Sequence, residues 1–365
     1  MAAPEVTGRL ERLRPRMADA GCDALLVTHL VNVRYLTGFT GSAALVLVLP
    51  DDTVLTTDGR YRDQAAEQLA AAGVDARVEV RPTVAGQHEV LGAAARGVGR
   101  LGLEADSVTW AQQRRLAAGA FADAELVPTE GVVEELRRVK DAREIDRIAE
   151  AARIADEALA AVRPLLGQRV TEREVALGLD YEMRRLGADG SSFETIVASG
   201  PNGAKPHARP TDRTIEPGEL VVIDFGAVVD GYCSDMTRTL CVGEPSEDVA
   251  LRMAAVVKES QREGVAAVKA GARGRDVDGT CRAVIADAGW ADAFIHGTGH
   301  GVGLEIHEAP RVASTSDDVL AAGHVVTVEP GVYLAEHGGV RIEDTVVVTD
   351  DGCIVLTNAP KELVV

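Results

Sequence analysis

Apolar positions in the first 130 residues of this 365-residue chain alternate between two spacings. Leu10, Leu13, Met17 and Ala20 recur at helical intervals, whereas Asp23-Ala-Leu-Leu-Val-Thr is a continuous run that predicts a buried strand. Ala43 to Leu49 and Thr53 to Thr57 predict two further strands, joined by the turn residues Pro50-Asp51-Asp52. Strands are also expected at Ala76 to Val80 and Arg100 to Glu104. This alternation predicts an α/β domain with a central sheet over residues 1–130.

The charged stretch EELRRVKDAREID, around Gly131 to Arg143, marks the joint to a second domain over residues 131–365. Asp141 with Glu144 forms a capping-box pattern ahead of a helix whose apolar face is Ile145, Ile148, Ala152, Ala155, Leu159 and Val162. Thr171 with Glu174 opens another helix that Gly187 can close, and a long helix is expected from about Asp248 to Lys269, ended by Gly271. Strand-like runs fill Leu220–Val229, Tyr232–Cys241, His324–Glu329 and Val340–Val348. Asp230-Gly231 suits a two-residue hairpin turn. With that turn, Gly226 faces Asp235, and Asp224 shares a face with Asp235 one diagonal step away. Glycine opposite Asp235 is then expected to leave room for an ion.

Candidate chemistry sits in these strand runs. Asp224 (VIDFG), Asp235 (CSDMT), His300 (GTGHGVG), Glu329 (VEPG) and Glu343 (RIED) form a spaced set of four acids and one imidazole. Four converging carboxylates repel and are partly desolvated, so positive charge must lie between them. Two divalent cations would balance them, and an oxygen-rich site with one imidazole suits Mn²⁺ or Co²⁺ better than a thiolate-type zinc site. The alternating glycines of HGTGHGVGLEIHE have the wrong spacing for a dinucleotide loop. They are expected to let His296, His300 and His307 approach a crowded site.

Composition narrows the function classes. A formal charge of −19 argues against phosphate-mediated nucleic-acid binding and against docking on anionic lipid. Five widely spaced cysteines without a CxxC pair argue for a reducing compartment. MAAPEVTGRLERLRPRM lacks the apolar core of a secretory signal, and the longest apolar run is too short for a bilayer. A cytoplasmic protein is expected.

The motifs together resemble the proline-specific pita-bread metallopeptidases, the family of aminopeptidase P and prolidase (Xaa-Pro dipeptidase). NVRYLTGFTGS at 32–42 and TDGRY at 57–61 are similar to its N-terminal domain, and the acid and histidine motifs to its catalytic domain. The resemblance implies a ribonuclease H-like, creatinase-type α/β N-terminal domain and an α+β pita-bread catalytic domain with pseudo-twofold symmetry. By motif, it implies that Asp224 chelates one metal, that Asp235 and Glu343 bridge two, and that His300 and Glu329 complete the shell. Two divalent ions, Mn²⁺ favoured and Co²⁺ or Zn²⁺ as alternatives, would lower the pKa of a shared water. The resemblance further implies that Glu329 shuttles a proton and that His307 stabilises the oxyanion. His296 and His207 would line the proline pocket. Arg341 would orient a bridging carboxylate beside Tyr333, a further substrate-side residue. His324 replaces the family's usual methionine and is expected near the domain surface; His29, His88 and His337 are expected to be surface or structural.

The activity expected from the resemblance is hydrolysis of the Xaa-Pro bond in proline-containing peptides, of the aminopeptidase P type, by a homodimer. The alternative is a prolidase acting on dipeptides and clamping their free carboxylate with Arg209 or Arg311. A non-catalytic peptide-binding scaffold is a distant third reading, since all five metal-ligand candidates are present.

Overall fold

A computed structural model describes residues 6–365, so the first five residues of the N-terminal stretch lie outside it. The chain divides into two compact units, Met1–Arg137 and Arg138–Val365. In the first, the order is α1 (Arg9–Asp19), β1 (Ala24–Val27), α2 (Leu30–Thr37), β2 (Ala44–Val48), β3 (Thr53–Thr57), α3 (Arg62–Ala72), β4 (Arg77–Val80), α4 (Val84–Ala94), β5 (Arg100–Glu104), α5 (Trp110–Ala118), β6 (Glu125–Thr129) and α6 (Glu134–Arg137). The six strands form one sheet in the order β4-β3-β2-β1-β5-β6. β1, β2 and β3 pair antiparallel, while β5 runs parallel to β1 and β6, and β4 parallel to β3. α1 buries Leu10, Leu13 and Met17, but Ala20 is already its C-cap.

Two motifs of this unit are structural within it. Asn32 is fully buried; its amide nitrogen donates to Glu104 at 2.7 Å, and its amide oxygen accepts from Arg137 at 2.9 Å. Asp58 caps the short turn Gly59–Tyr61, and the Tyr61 ring packs edge-on to Phe39 with centroids 5.7 Å apart. β6 escaped the periodicity because it contains Pro128. It survives on the sheet edge, where a missing N–H interrupts no inner ladder.

The second unit begins with α7 (Ala142–Val162) and α8 (Glu172–Arg185), each opened by the expected capping box. There follow β7 (Gly190–Ser191), β8 (Ile196–Ser199), β9 (Leu220–Phe225), β10 (Ala227–Val229), β11 (Tyr232–Cys233), β12 (Met236–Cys241), α9 (Asp248–Ala267) and α10 (Gly274–Asp287). Its last strands are β13 (Gly299–Gly301), β14 (Glu308–Val312), β15 (Val325–Val328), β16 (Gly331–Leu334), β17 (Gly338–Arg341), β18 (Asp344–Val348) and β19 (Cys353–Val355). One core packs α7 and α8 on β8, β9 and β12; a second packs α9 and α10 on β14, β15 and β18. Each half therefore covers its strands with a helix pair, since an apolar sheet face needs a helical stripe against it.

The long strand-like runs are broken, and the breaks carry the acids. β9 gives way to β10 at Gly226, β11 to β12 across Ser234-Asp235, β15 to β16 across Glu329-Pro330, and β17 to β18 across Ile342-Glu343. At each break the chain passes from one small sheet to another. Among the described residues no helix is long and apolar enough to cross a membrane.

Candidate metal centre

Hairpin register brings the carboxylates together. Asp230 and Gly231 both have positive φ, 45° and 75°, the pattern of a two-residue type I′ turn. Val229 faces Tyr232, and beyond the break Asp224 faces Thr237 in the same register. Asp224 and Asp235 thus share a face on a diagonal, as the turn predicts. The second hairpin has one register on both sides of its break, with Val328 facing Asp344 and Gly331 facing Arg341. Glu329 and Glu343 therefore stand directly opposite each other. Sequence left that pairing open.

The glycines serve a different purpose from the one expected. A Cβ on Gly226 would lie 1.9 Å from the Ser234 carbonyl oxygen and 2.3 Å from Ser192 Oγ, so protein backbone, not an ion, requires the glycine. Likewise a Cβ on Gly299 would meet the Thr327 carbonyl oxygen at 2.0 Å, and one on Gly301 the Ala309 carbonyl oxygen at 2.4 Å. The glycines flanking His300 let neighbouring strands close on it.

His300 aims its Nε2 at the acids, 3.5 Å from Asp235 Oδ2 and 3.4 Å from Glu329 Oε1. Its Nδ1 lies 3.0 Å from the Gly301 carbonyl, which can only accept, so the proton sits on Nδ1 and the Nε2 lone pair is free to ligate. Burial holds its pKa down at about 4, keeping the imidazole neutral. Ligand atoms of Asp235, His300 and Glu343 all lie within 4.8 Å of one another. Asp224 Oδ1 and Glu343 Oε1 are buried and accept no hydrogen bond from the described residues. Burial, reinforced by the neighbouring acids, pushes Asp235 and Glu343 well above the usual carboxylate range, and burial pushes Glu329 up to about 8. Orphaned buried oxygens, an unprotonated imidazole nitrogen and crowded acids are the donor set a divalent ion completes. Asp224, Asp235, His300, Glu329 and Glu343 could hold such ions.

Arg341 departs from expectation. The motif places it on a bridging carboxylate, but its Nη2 donates to Asp224 Oδ2 at 2.5 Å. It reaches Glu343 only through Thr237: Arg341 Nε donates to Thr237 Oγ1 at 3.0 Å, and that hydroxyl donates to Glu343 Oε2 at 2.7 Å. Thr237 was missed, although it lies two residues after Asp235, the spacing that keeps side chains on one strand face. Breaking the buried Arg341–Asp224 pair leaves a carboxylate uncompensated. Arg341→Met is expected to cost about 3–5 kcal/mol in denaturant unfolding of the metal-free protein. Adding Asp224→Asn should recover part of the loss; a double variant losing as much as the single would remove the ion-pair account.

Tyr333, expected on the substrate side, is instead buried behind His296 and does not line the cavity. Its hydroxyl accepts from Arg341 Nη1 at 2.7 Å and lies 2.8 Å from His296 Nε2. His296 Nδ1 lies 2.8 Å from the Gly297 carbonyl, which fixes that nitrogen as the donor and makes Nε2 the acceptor of the Tyr333 proton. Burial and Arg341 lower the His296 pKa to about 4, in keeping with a neutral ring. From α10, Arg282 donates to the carbonyls of Phe294 and His296, and Asp278 accepts from Thr298 N and Oγ1 at 3.1 and 2.9 Å. Both were missed with their helix. His324 is buried rather than near the surface and lies outside the cavity lining. His29, His88 and His337 also lie outside it.

A cavity of about 580 Å³ opens onto the centre, lined by all five candidate ligands. His207, His296 and His307 line it beside Phe193, Ile196, Pro206 and Ile306, the apolar wall that sequence could not locate. The His307 ring lies 4.3 Å from that of His300. A desolvated carboxylate and imidazole cage opening onto a cavity defines a divalent-metal centre.

Comparison with known proteins names the family. Residues 146–350 match the description "Metallopeptidase family M24", and residues 9–139 match "Creatinase/Prolidase N-terminal domain". The chain belongs to metallopeptidase family M24, and to its proline-specific, two-domain pita-bread branch. A solved structure described as an Xaa-Pro dipeptidase from Bacillus anthracis is 41% identical, with a TM-score of 0.94, covering 99% of this chain and 100% of that one. The Xaa-Pro dipeptidase of Pyrococcus furiosus is 36% identical over 97% of this chain and 99% of its own. A solved X-Pro aminopeptidase from Thermotoga maritima is 35% identical, with a TM-score of 0.86, covering 98% and 99%.

Proposed function

We propose that this metallopeptidase is an Xaa-Pro dipeptidase of the prolidase type, acting on dipeptides with a free C-terminal carboxylate. The carrying observation is Arg311. It faces His300 directly across the β13–β14 ladder, is exposed, and lines the cavity. Cross-strand neighbours stand about 5 Å apart on one face of the ladder, so the long Arg311 side chain starts beside the centre that His300 faces. Arg311 has no ion-pair partner among the described residues, whereas the other candidate, Arg209, is held 3.1 Å from Glu194. The two relatives described as Xaa-Pro dipeptidases favour this reading over the aminopeptidase P type that motif resemblance first suggested.

In this reading Asp224, Asp235, His300, Glu329 and Glu343 hold two divalent ions, which supply Lewis acidity and a water of lowered pKa. Mn²⁺ is the proposed identity because the donors are mostly oxygen. Glu329, with its Oε1 3.3 Å from Thr327 Oγ1, moves a proton toward the leaving proline nitrogen, a tertiary amide nitrogen that cannot leave unprotonated. His307 faces the developing oxyanion, and His296 and His207 border the proline ring. Arg341 and Tyr333 position Asp224 and His296. The catalytic domain is assigned to residues 131–365 and the creatinase-type domain to residues 1–130, although the two compact units divide later, between Arg137 and Arg138. A homodimer, carried by family resemblance, and a cytoplasmic setting, carried by the widely spaced cysteines, complete the proposal.

Hydrolysis of Ala-Pro and Ala-Pro-Ala with Mn²⁺ tests it. Ala-Pro should be preferred in kcat/KM by about tenfold or more, and Arg311→Ala should erase the preference through KM. Equal or faster cleavage of Ala-Pro-Ala would overturn the dipeptidase reading. It would favour the aminopeptidase P type, the activity in the description of the Thermotoga maritima structure.

A further inference from the structure

We propose that Glu172, the first residue of α8, is a positioning residue that sets the 199–211 segment, and through it His207, against the substrate cavity. Glu172 is fully buried. Its Oε1 accepts from Ser199 N at 2.7 Å and Ser199 Oγ at 2.9 Å, at the start of the segment. Its Oε2 accepts from Thr211 N at 3.0 Å and Thr211 Oγ1 at 2.6 Å, at the end. Asn202 Nδ2 lies 3.1 Å from both oxygens. One carboxylate thus ties both ends of the segment, and between them Pro206, His207, Ala208 and Arg209 line the cavity.

Helix initiation does not account for this. Thr171 and Glu174 already form the reciprocal capping box of α8, each satisfying the other's backbone N–H. Both Glu172 oxygens are therefore left to the segment. An ionised carboxylate is the group this site demands, because every neighbour presents a proton and only an acceptor-only side chain can receive on both sides. Its pKa is lowered accordingly, the donated hydrogen bonds outweighing burial. Glutamine would turn an N–H donor toward either Ser199 or Thr211. The segment is also held by Arg213 Nη1 on Ser199 Oγ at 2.6 Å, by Arg173 N on the Thr211 carbonyl at 3.1 Å, by the Arg209–Glu194 pair at 3.1 Å, and by the Pro206 carbonyl, which accepts from Arg341 Nη1 at 3.3 Å.

The inference rests on the reading of His207 as a substrate-facing residue. Its test is Glu172→Gln in a double-mutant cycle with His207→Ala, in the full-length Mn²⁺-loaded protein. Glu172→Gln should raise KM for Ala-Pro about tenfold, with kcat and bound metal within about twofold. In the His207→Ala background it should add less than about twofold, because the two act through one another. Hydrogen exchange should speed up in peptides spanning 200–211 while α7 stays protected. Should Glu172→Gln fail to fold, Thr211→Val removes one donor from the segment and should reproduce a smaller KM rise of the same kind. An unchanged KM in the folded variant, or a rise that multiplies in full with that of His207→Ala, would overturn the proposal. If the wild-type protein does not cleave Ala-Pro, the dipeptidase reading fails instead, and the exchange measurement still decides whether Glu172 ties the segment.

Discussion

Asp235→Asn is expected to abolish bound divalent metal and lower Xaa-Pro hydrolysis by at least about 1,000-fold. The side chain is buried, faces Gly226 at a strand break, and has an oxygen 3.5 Å from His300 Nε2. Asparagine keeps the shape and removes the charge, so the change isolates ligation from packing. Stability should move the other way. Burial and the neighbouring Glu343, Asp224 and Glu329 all disfavour the charged form of Asp235. In chelator-treated protein at pH 8, Asp235→Asn should therefore unfold at a higher denaturant concentration than wild type. Metal content from elemental analysis, activity and unfolding midpoint form one test. A variant that retains stoichiometric metal and full activity would remove Asp235 from the centre.

The metal-free protein is expected to lose stability as pH rises from about 5 to 8.5, by on the order of a few kcal/mol. The direction follows from proton counts. Burial pushes Glu329 from 4.5 up to about 8, with Arg341 opposing and Asp224 adding to the rise; Asp235 and Glu343 are raised in the same sense. Between the unfolded and folded pKa values the folded state binds more protons. The stabilisation is thus complete below the unfolded pKa and is lost as pH climbs through the folded one. Saturating Mn²⁺ should restore the midpoint at pH 8, because the ion binds only the folded state and replaces the protons. Glu329→Gln should flatten the slope of the metal-free curve. A chelated wild-type protein whose midpoint is level or rises over this range would show that the acids are not held together as described.

Much of the architecture was readable because local patterns carry it. The runs at 24–27, 44–48 and 53–57 are continuous apolar or β-branched stretches between turn residues, and they became strands within a residue of expectation. Both capping boxes announce their helices with a hydroxyl or carboxylate and a glutamate three residues on. Elements without such contrast were missed. α3 and α4 carry alanines around much of their circumference. α10 opens on a glycine and contains another, masking the helical spacing of Val277, Cys281 and Ile285.

Local residue chemistry carried the candidate donors, the capping-box starts of α7 and α8 and the Asp230-Gly231 turn, and the turn sets the relation of Asp224 to Asp235. Each depends on residue chemistry or on contacts a few positions apart. Only the tertiary structure decided that Glu329 opposes Glu343, that Arg341 pairs with Asp224, and that Tyr333 stands behind His296. It also decided that Thr237 links Arg341 to Glu343, and that Glu172 ties a segment up to 39 residues away. These relations join strands distant in the chain, and a strand break changes sheet without leaving a mark in hydropathy. The acids were legible because they are costly to bury without a cation. Their partners were not, because a threonine or arginine is ordinary until the fold shows what it touches.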